Sequence, residues 1–334
     1  MTAPTPIPRK DARSHVVVLG AGASRACCLS GDVNGRILPL VADFIPTLEL
    51  HDKLRTASVY VEGEDFEALY SRLVTEGGHE SLLQELEADV FNYFSQLRLP
   101  AHPTIYDHLV LSLRAKDVIV TFNWDPLLIQ AVRRCSAFAK PPACLFLHGN
   151  VAIGYCDRHA PMRIGTIGSN CGQCGNSLIE SRLLYPVATK NYTSNPFIAA
   201  SWRQVQADLK DCFLLTIFGY GAPATDVEAF SLMKQGWGNP DVRSLEETEF
   251  IDIRPEDELR KTWSPFICEH HYQTHTSYYE SMIARLPRRS VEAMFGQLVD
   301  MEPIDWFPVP KDADWSELRA WIQPFRDQEV AAGE

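Results

Sequence analysis

Five short runs of this chain are apolar at almost every position, and segments long enough to hold helices separate them. The runs cover residues 15–19, 117–121, 143–147, 213–218 and 250–253. Strands that are apolar throughout are buried on both faces, which is typical of a parallel sheet between two layers of helices. The pattern therefore predicts an α/β fold with a doubly wound parallel sheet.

A long segment with helical spacing lies between the first two predicted strands, where residues 32–115 interleave acidic and apolar positions. It is too long for one crossover helix and is predicted to be a helical insertion. Residues 266–334 are rich in aromatic residues and prolines. They are predicted to form a C-terminal extension, with an amphipathic helix near residues 315–319, that packs on the core or in an oligomer interface.

Composition narrows the possible functions. With 334 residues, 46% of them hydrophobic, the chain can bury a substantial core. Its formal net charge of -12 argues against a protein that grips phosphate backbones, so we expect no direct nucleic-acid partner. No apolar run approaches the roughly 20 residues that span a bilayer, and the first 13 residues hold no apolar signal core. We expect no membrane association and a cytoplasmic location.

Gly20, Ala21 and Gly22 follow the first predicted strand, and Ser24 and Arg25 come soon after them. Glycines allow a tight turn, and a following helix would direct its N-terminal amides at a pyrophosphate. The hydroxyl and guanidinium groups are suited to phosphate oxygens. The third glycine of the dinucleotide fingerprint is absent, so a plain strand-to-helix turn stays open as an alternative.

The sequence TFNWD, from Thr121 to Asp125, begins at the last residue of the second predicted strand. Asn123 and Asp125 are two residues apart and lie on the same side of an extended chain, where such a pair can hold a carboxamide group. The alternative is that Asp125 merely caps the helix that begins at Pro126.

His148 follows the third predicted strand and precedes Gly149, so its ring is expected at the carboxyl edge of the sheet. A histidine there can titrate near neutrality and act as a base toward a ribose hydroxyl. The alternative is a histidine hydrogen-bonded to a loop carbonyl. After the fourth strand, Gly219, Tyr220 and Gly221 form either another backbone approach to a nucleotide or a tight turn.

Two close ligand pairs, Cys156 with His159 and Cys171 with Cys174, flank a short glycine-containing loop. Four such ligands are typical of a tetrahedral zinc site, and they predict a zinc module over residues 150–182. Four protein ligands leave the metal no open position, so its role is structural. The alternative, a reactive dithiol at Cys171 and Cys174, lacks the strand and helix of a thioredoxin site.

A second group of soft ligands comprises Cys268, His270, His271 and His275, in which the last two are one helical turn apart. Because tyrosines surround these residues, a packed aromatic surface is preferred over a second metal site.

Taken in order along the chain, these motifs resemble the sirtuin superfamily, and specifically the divergent bacterial sirtuin-like domains of antiphage defence. The resemblance spans residues 14–260 and implies a Rossmann-like, sirtuin-type catalytic domain, predicted at residues 14–265. It implies that the turn from Gly20 to Ser24 binds the pyrophosphate of NAD. It further implies that Asn123 and Asp125 contact nicotinamide and its ribose.

The same resemblance implies that His148 acts on the ribose hydroxyls and that a structural zinc module follows it. The residues predicted to bind NAD are Gly20, Ala21, Gly22, Ser24, Arg25, Thr121, Gly219, Tyr220 and Gly221. The predicted catalytic residues are Asn123, Asp125 and His148.

Two departures from the protein deacylases of that family bear on the reaction. The chain lacks a Pro-Asp-Phe-Arg segment after the first motif and a Phe-Gly-Glu segment after the zinc module. Its fourth strand ends in Gly-Tyr-Gly rather than Gly-Thr-Ser. These replacements resemble the defence branch, in which water takes the place of an acyl-lysine.

The leading hypothesis is an NAD glycohydrolase that depletes NAD in antiphage defence. The alternatives are an NAD-dependent protein deacylase and a non-catalytic subunit that senses NAD or ADP-ribose. Because unregulated destruction of NAD would kill the host cell, we expect a homo-oligomer or an activating partner encoded nearby to control the chain.

Overall fold

The computed structural model describes residues 13–159, 163–186, 192–222, 226–243, 245–268, 270–302 and 305–333. In chain order, its strands are β1 (His15–Leu19), β2 (Val118–Thr121), β3 (Ala143–Phe146), β4 (Ile153–Cys156), β5 (Arg163–Thr166), β6 (Ile179–Glu180), β7 (Leu214–Phe218), β8 (Glu247–Ile251) and β9 (Tyr272–His275). Its helices are α1 (Ala21–Cys27), α2 (Phe44–Thr47), α3 (His51–Thr56), α4 (Phe66–Glu76), α5 (Glu80–Ser95), α6 (Ile105–Ser112), α7 (Leu127–Cys135), α8 (Pro196–Asp211), α9 (Val227–Trp237), α10 (Glu256–Trp263), α11 (Met282–Arg285), α12 (Ser290–Phe295) and α13 (Trp315–Ala331).

Six strands form one sheet in the order β3-β2-β1-β7-β8-β9, and every neighbouring pair is parallel. The first strand of the chain lies in the middle, and the strands added later extend the sheet first to one side and then to the other. The predicted doubly wound parallel sheet is thus confirmed. Its order reverses between β1 and β7, and this switch point is where such folds form a ligand crevice.

The first strand occupies the residues predicted for it, and the next three differ from the prediction by no more than one residue at either end. The fifth begins at Glu247 and ends at Ile251, whereas its apolar run predicted residues 250–253. The start of this strand was not predicted, because Glu249 is a fully buried carboxylate that interrupts the apolar pattern. Its oxygens accept hydrogen bonds from the Thr216 hydroxyl (2.9 Å) and the Met282 N–H (2.6 Å).

The sixth strand was not predicted. Its sequence, YQTH, is polar, and all four residues are half-buried at the edge of the sheet. The interpretation of His271 and His275 as one helical turn apart is wrong, because this segment is extended and pairs with β8. The segment predicted as a C-terminal extension therefore contributes a strand to the main sheet.

Helices α2 to α6 occupy the predicted insertion, and their apolar faces join the same core as the sheet. The predicted amphipathic helix near the C-terminus is α13. It begins with a capping box between Asp314 and Glu317, and it buries Leu318, Trp321 and Phe325 at helical spacing. Trp315, at its first turn, stacks on a phenylalanine ring 5.6 Å away, so the extension packs on the main body.

In the part of the chain that the structure describes, we find no helix with the length and apolar character needed to cross a membrane.

The β1–α1 turn and the end of β7 meet through their backbones at the switch point. The Gly20 N–H donates to the Phe218 carbonyl, and the Gly22 N–H donates to the Gly219 carbonyl, both at 3.0 Å. A Cβ on Gly20 would lie 2.5 Å from the Gly219 oxygen, and one on Gly219 would lie 2.4 Å from the Ala23 nitrogen. Only glycine permits this approach.

Replacing Gly219 by alanine is expected to destabilise the fold by about 3 kcal/mol. The substitution combines the strain of a positive φ with overpacking of the contact. The matched control is Gly63→Ala, whose φ is also positive but whose added Cβ would meet nothing within 4 Å. It should cost about 1 to 2 kcal/mol. Thermal unfolding followed by circular dichroism measures both, and equal losses would contradict the close contact.

Candidate functional site

A cavity of about 590 Å³ opens at the switch point. The β1–α1 turn, the carboxyl ends of β2, β7 and β8, and the loop after β3 surround it, together with helices of the insertion. Eleven of the predicted NAD-binding and catalytic residues line it: Gly20, Ala21, Gly22, Ser24, Arg25, Asn123, Asp125, His148, Gly219, Tyr220 and Gly221. The topology brings residues far apart in sequence to one place.

Thr121 is the one predicted residue of this set that does not line the cavity. Its side chain is buried at the end of β2, and its hydroxyl accepts the N–H of Asn123 at 3.0 Å. Thr121 therefore shapes the turn that presents Asn123.

Ser24 is the centre of a buried polar network. Its hydroxyl donates to Asp125 Oδ2 at 2.6 Å and lies 2.7 Å from the Tyr106 hydroxyl. The Asn123 amide group donates to the Ser24 oxygen (2.9 Å) and to the Gly20 carbonyl (2.8 Å). Since the amide hydrogens of Asn123 are engaged, its carbonyl oxygen is the atom suited to a ligand hydroxyl or water.

Asp125 serves both the site and the local fold. Its Oδ1 accepts the N–H of Leu127 at 3.0 Å, so the predicted helix-start role is present as well. The residue is 3% exposed, and burial raises the pKa of its carboxyl group. Asn150 fixes the backbone beneath this segment, because its side-chain amide donates to the Asp125 carbonyl at 2.6 Å.

Arg25 is tied to the insertion. Its guanidinium donates to the Leu38 carbonyl (2.6 Å) and forms an ion pair with Asp43 (2.8 Å). A second cation on the cavity wall, Arg254, is paired with Asp252 at 2.8 Å. Two paired guanidinium groups thus face a cavity whose expected ligand is an anion.

Three rings of the insertion and Trp124, which follows β2, form an aromatic wall. Phe44 and Phe66 pack with ring centroids 4.5 Å apart, and Phe94 meets Trp124 edge to face at 5.9 Å. All four rings line the cavity. This wall suits the flat face of a heteroaromatic ring.

His148 is 6% exposed and stands at the carboxyl edge of the sheet, as predicted. The rings of Phe122 and His148 meet edge to face, with their centroids 4.9 Å apart. Its Nε2 lies 2.9 Å from the Tyr192 hydroxyl and 3.9 Å from Asp226 Oδ1. These two partners are side chains of distant segments.

The residues that sequence reasoning missed include Tyr106, Tyr192 and Asp226, which contact predicted ones. Tyr106 belongs to the insertion and Tyr192 precedes α8, and neither stands in a motif. Asp226 offered a signal, since it follows the Gly-Tyr-Gly turn just before α9.

The predicted zinc ligands form a compact group at the end of a second, antiparallel sheet of order β5-β4-β6. The ligand atoms of Cys156, His159, Cys171 and Cys174 all lie within 4.8 Å of one another. The sulfurs of Cys156 and Cys174 are 3.7 Å apart, and Cys171 Sγ is 3.4 Å from His159 Nε2. Zinc bonds of about 2.3 Å to sulfur and 2.0 Å to nitrogen in a tetrahedron give such separations.

The surroundings of two of these thiols also suit a metal. A hydrogen bond from the Asn176 backbone N–H lowers the pKa of the Cys174 thiol to about 7, and the Gln173 N–H lowers that of Cys171. Thiolates are the form that binds zinc. The Cys3His set therefore fits a structural zinc ion. Within the described ranges it is the one group of His, Cys and acidic residues close enough for a metal, and Cys268 and His271 instead pair as a β-bridge.

No protein-family model matches this chain, and no curated protein matches it. Among solved structures, it is similar to Sir2 in complex with the inhibitor EX-527, 2'-O-acetyl-ADP-ribose and a deacetylated p53 peptide. That match has 13% identity and a TM-score of 0.36, and it covers 79% of this chain and 88% of the other.

The chain is also similar to an ADP-ribose complex of a Sir2 homologue mutant. That match has 13% identity and a TM-score of 0.36, and it covers 71% of this chain and 79% of the other. For Sir2Tm bound to a propionylated peptide, the identity is 17%, the coverage is 79% and 88%, and the TM-score is 0.35. At these values, activity is not transferable from those proteins to this one.

Purified protein is expected to contain one zinc ion per chain, and Cys171→Ser to lose it and to unfold at a lower temperature. The replacement removes a ligand from the closed set, and structural zinc binding contributes directly to folding. Elemental analysis and thermal unfolding measure the two effects. Cys144→Ser, outside the cluster, is the control and should keep the metal. Full zinc content in Cys171→Ser would refute the ligand set.

Proposed function

We propose that this chain is an NAD glycohydrolase, which cleaves the bond between nicotinamide and ribose and releases nicotinamide and ADP-ribose. The observation that carries the proposal is the convergence of Asn123, Asp125 and His148 on one cavity at the switch point. Switch points of doubly wound sheets are the usual sites for nucleotide cofactors. The resemblance of the motifs to sirtuin-like domains supports the same substrate.

The cavity offers complementary groups for the parts of NAD. The backbone of the β1–α1 turn and the Gly219-Tyr220-Gly221 segment border the space for the pyrophosphate, and Arg25 and Arg254 would supply guanidinium N–H donors. Asp125 would hold the carboxamide of nicotinamide. Both its oxygens already accept one hydrogen bond each, and a carboxylate oxygen can accept a second.

The proposed reaction breaks the bond between ribose C1' and the nicotinamide nitrogen, and the electron pair leaves with nicotinamide. Positive charge develops on the ribose in an oxocarbenium-like transition state. Water adds to C1', with Asn123 Oδ1 orienting the water and the ribose. His148 accepts the proton from the water or a ribose hydroxyl and returns it to solvent.

Tyr192 bears on the choice between water and an acyl-lysine as the acceptor. Its ring stacks on His148 with the centroids 5.7 Å apart, and its hydroxyl is bonded to His148 Nε2. A side chain of the protein thus occupies the Nε2 edge of the proposed base. This contact, with the absent deacylase motifs, favours hydrolysis over deacylation.

We further propose that the chain acts in antiphage defence by depleting NAD, and that self-association or a partner encoded nearby releases its activity. Uncontrolled hydrolysis of NAD would harm the host cell, so a restrained resting state is required. The insertion, which is tied to Arg25 by its ion pair with Asp43, links the site to the outer helices. A dilute monomer with full activity would contradict the restraint.

The deciding experiment incubates purified protein with NAD, alone and with an acetyl-lysine peptide, over a range of protein concentrations. Mass spectrometry follows nicotinamide and ADP-ribose species. Nicotinamide release without peptide, with turnover per chain rising with concentration, supports the proposal. Release only with peptide, giving an acylated ADP-ribose, would make the chain a deacylase. Tight binding of NAD without turnover at any concentration would make it a sensing subunit.

Asn123→Ala and His148→Ala are each expected to lower NAD turnover by about a hundredfold or more, the scale of losing one positioned acid–base group. Asn92→Ala and His102→Ala, at exposed positions outside the cavity, are matched controls and should keep full turnover. Steady-state nicotinamide release measures all four. Full activity in both site variants would refute the residue assignment.

A further inference from the structure

Asp226 immediately precedes α9, at the position where an aspartate usually caps a helix. Its side chain makes no such capping hydrogen bond. The residue is nevertheless 4% exposed, and it lines the cavity. A buried carboxylate is stabilised by hydrogen-bonding and charged partners.

Two strand ends place this carboxylate beside His148. The Tyr220 hydroxyl, after β7, donates to Asp226 Oδ2 at 2.9 Å. The Tyr220 ring is fixed in turn by stacking on Phe122, after β2, with centroids 4.1 Å apart and planes within 10°. Asp226 Oδ1 then lies 3.9 Å from His148 Nε2. The distance suits an ion pair once the imidazole is protonated.

Among the residues that the structure describes, Tyr192 before α8 and Asp226 before α9 lie against His148, and Tyr220 after β7 contacts Asp226. Burial raises the pKa of both tyrosine hydroxyls well above the ordinary value, so both stay neutral. Glu228 acts on Tyr192 and Glu67 on Tyr220, each as a lesser electrostatic influence than burial. Asp226 is therefore the group of these three that brings a charge to the imidazole.

We propose that Asp226 is a positioning residue that holds the His148 ring and stabilises its protonated form. This inference rests on the proposed function, in which the proton of the attacking water or a ribose hydroxyl moves to an imidazole nitrogen. The carboxylate keeps its own charge throughout, as in other carboxylate–histidine pairs. Tyr220 acts on His148 indirectly, because its hydroxyl orients Asp226.

The direct test is a titration of His148 by NMR in the ligand-free protein, with its signal identified by its loss in His148→Ala. Asp226→Asn should shift the titration midpoint of His148 down by about one pH unit, since a nearby carboxylate favours the charged imidazole. Tyr220→Phe keeps the ring on Phe122 and removes the hydrogen bond that orients the carboxylate, so it should give a smaller shift in the same direction. It also serves as the test if Asp226→Asn fails to fold.

Asp252→Asn is the matched control, because this carboxylate lines the same cavity and forms its ion pair with Arg254. It should leave the His148 midpoint in place. An unchanged midpoint in both Asp226→Asn and Tyr220→Phe would overturn the inference, and this readout needs no enzyme activity.

Kinetics separate positioning from a merely structural role. In Asp226→Asn, kcat for NAD should fall about tenfold with little change in KM, and the acidic limb of the kcat profile should move to lower pH. Asp226→Glu should restore part of the rate. A fall in kcat with an unmoved acidic limb would argue against the inference. The midpoint of His148 could fall in Asp226→Asn while the wild-type protein hydrolyses no NAD. That result would support the role of Asp226 and count against the proposed function.

Discussion

The contact between the β1–α1 turn and the end of β7 is the constraint on which the rest of the site depends. Two backbones pass within hydrogen-bonding distance at Gly20 and Gly219, and neither position has room for a side chain. This approach sets the floor of the cavity. It also brings Asn123, which donates to the Gly20 carbonyl, next to segments that follow β7. A wider gap would separate the two halves of the site.

The parts of the fold that could be predicted from sequence are the buried strands whose residues form a run of apolar side chains. The strand at 15–19 and the ends of its parallel neighbours follow from runs of Val, Ile and Leu. The start of β8 and the whole of β9 could not be found in this way. In β8, Glu249 is fully buried because Thr216 and Met282 satisfy its oxygens, and a one-dimensional pattern does not contain those partners.

The same distinction holds for the site. Residues in short motifs at strand ends, such as Asn123 and His148, could be named because the ends of parallel strands meet at one edge. The four zinc ligands could be named from their spacing. Tyr106 and Tyr192 could not, because only tertiary packing brings their hydroxyls to Ser24 and His148. Sequence motifs thus identified the strand ends but not the side chains that hold them in place.

The position of the zinc module has a consequence in chain entropy. His148 and Tyr192 meet across a separation of 44 residues, and the thiols of Cys156 and Cys174 lie inside that loop, 18 residues apart. A metal that joins those thiols shortens the free loop to about 26 residues, which lowers the cost of closing it by about 0.5 kcal/mol. The zinc module has no atom at the reacting centre. It nevertheless favours the native contact between Tyr192 and His148, because it limits the conformations of the unfolded chain.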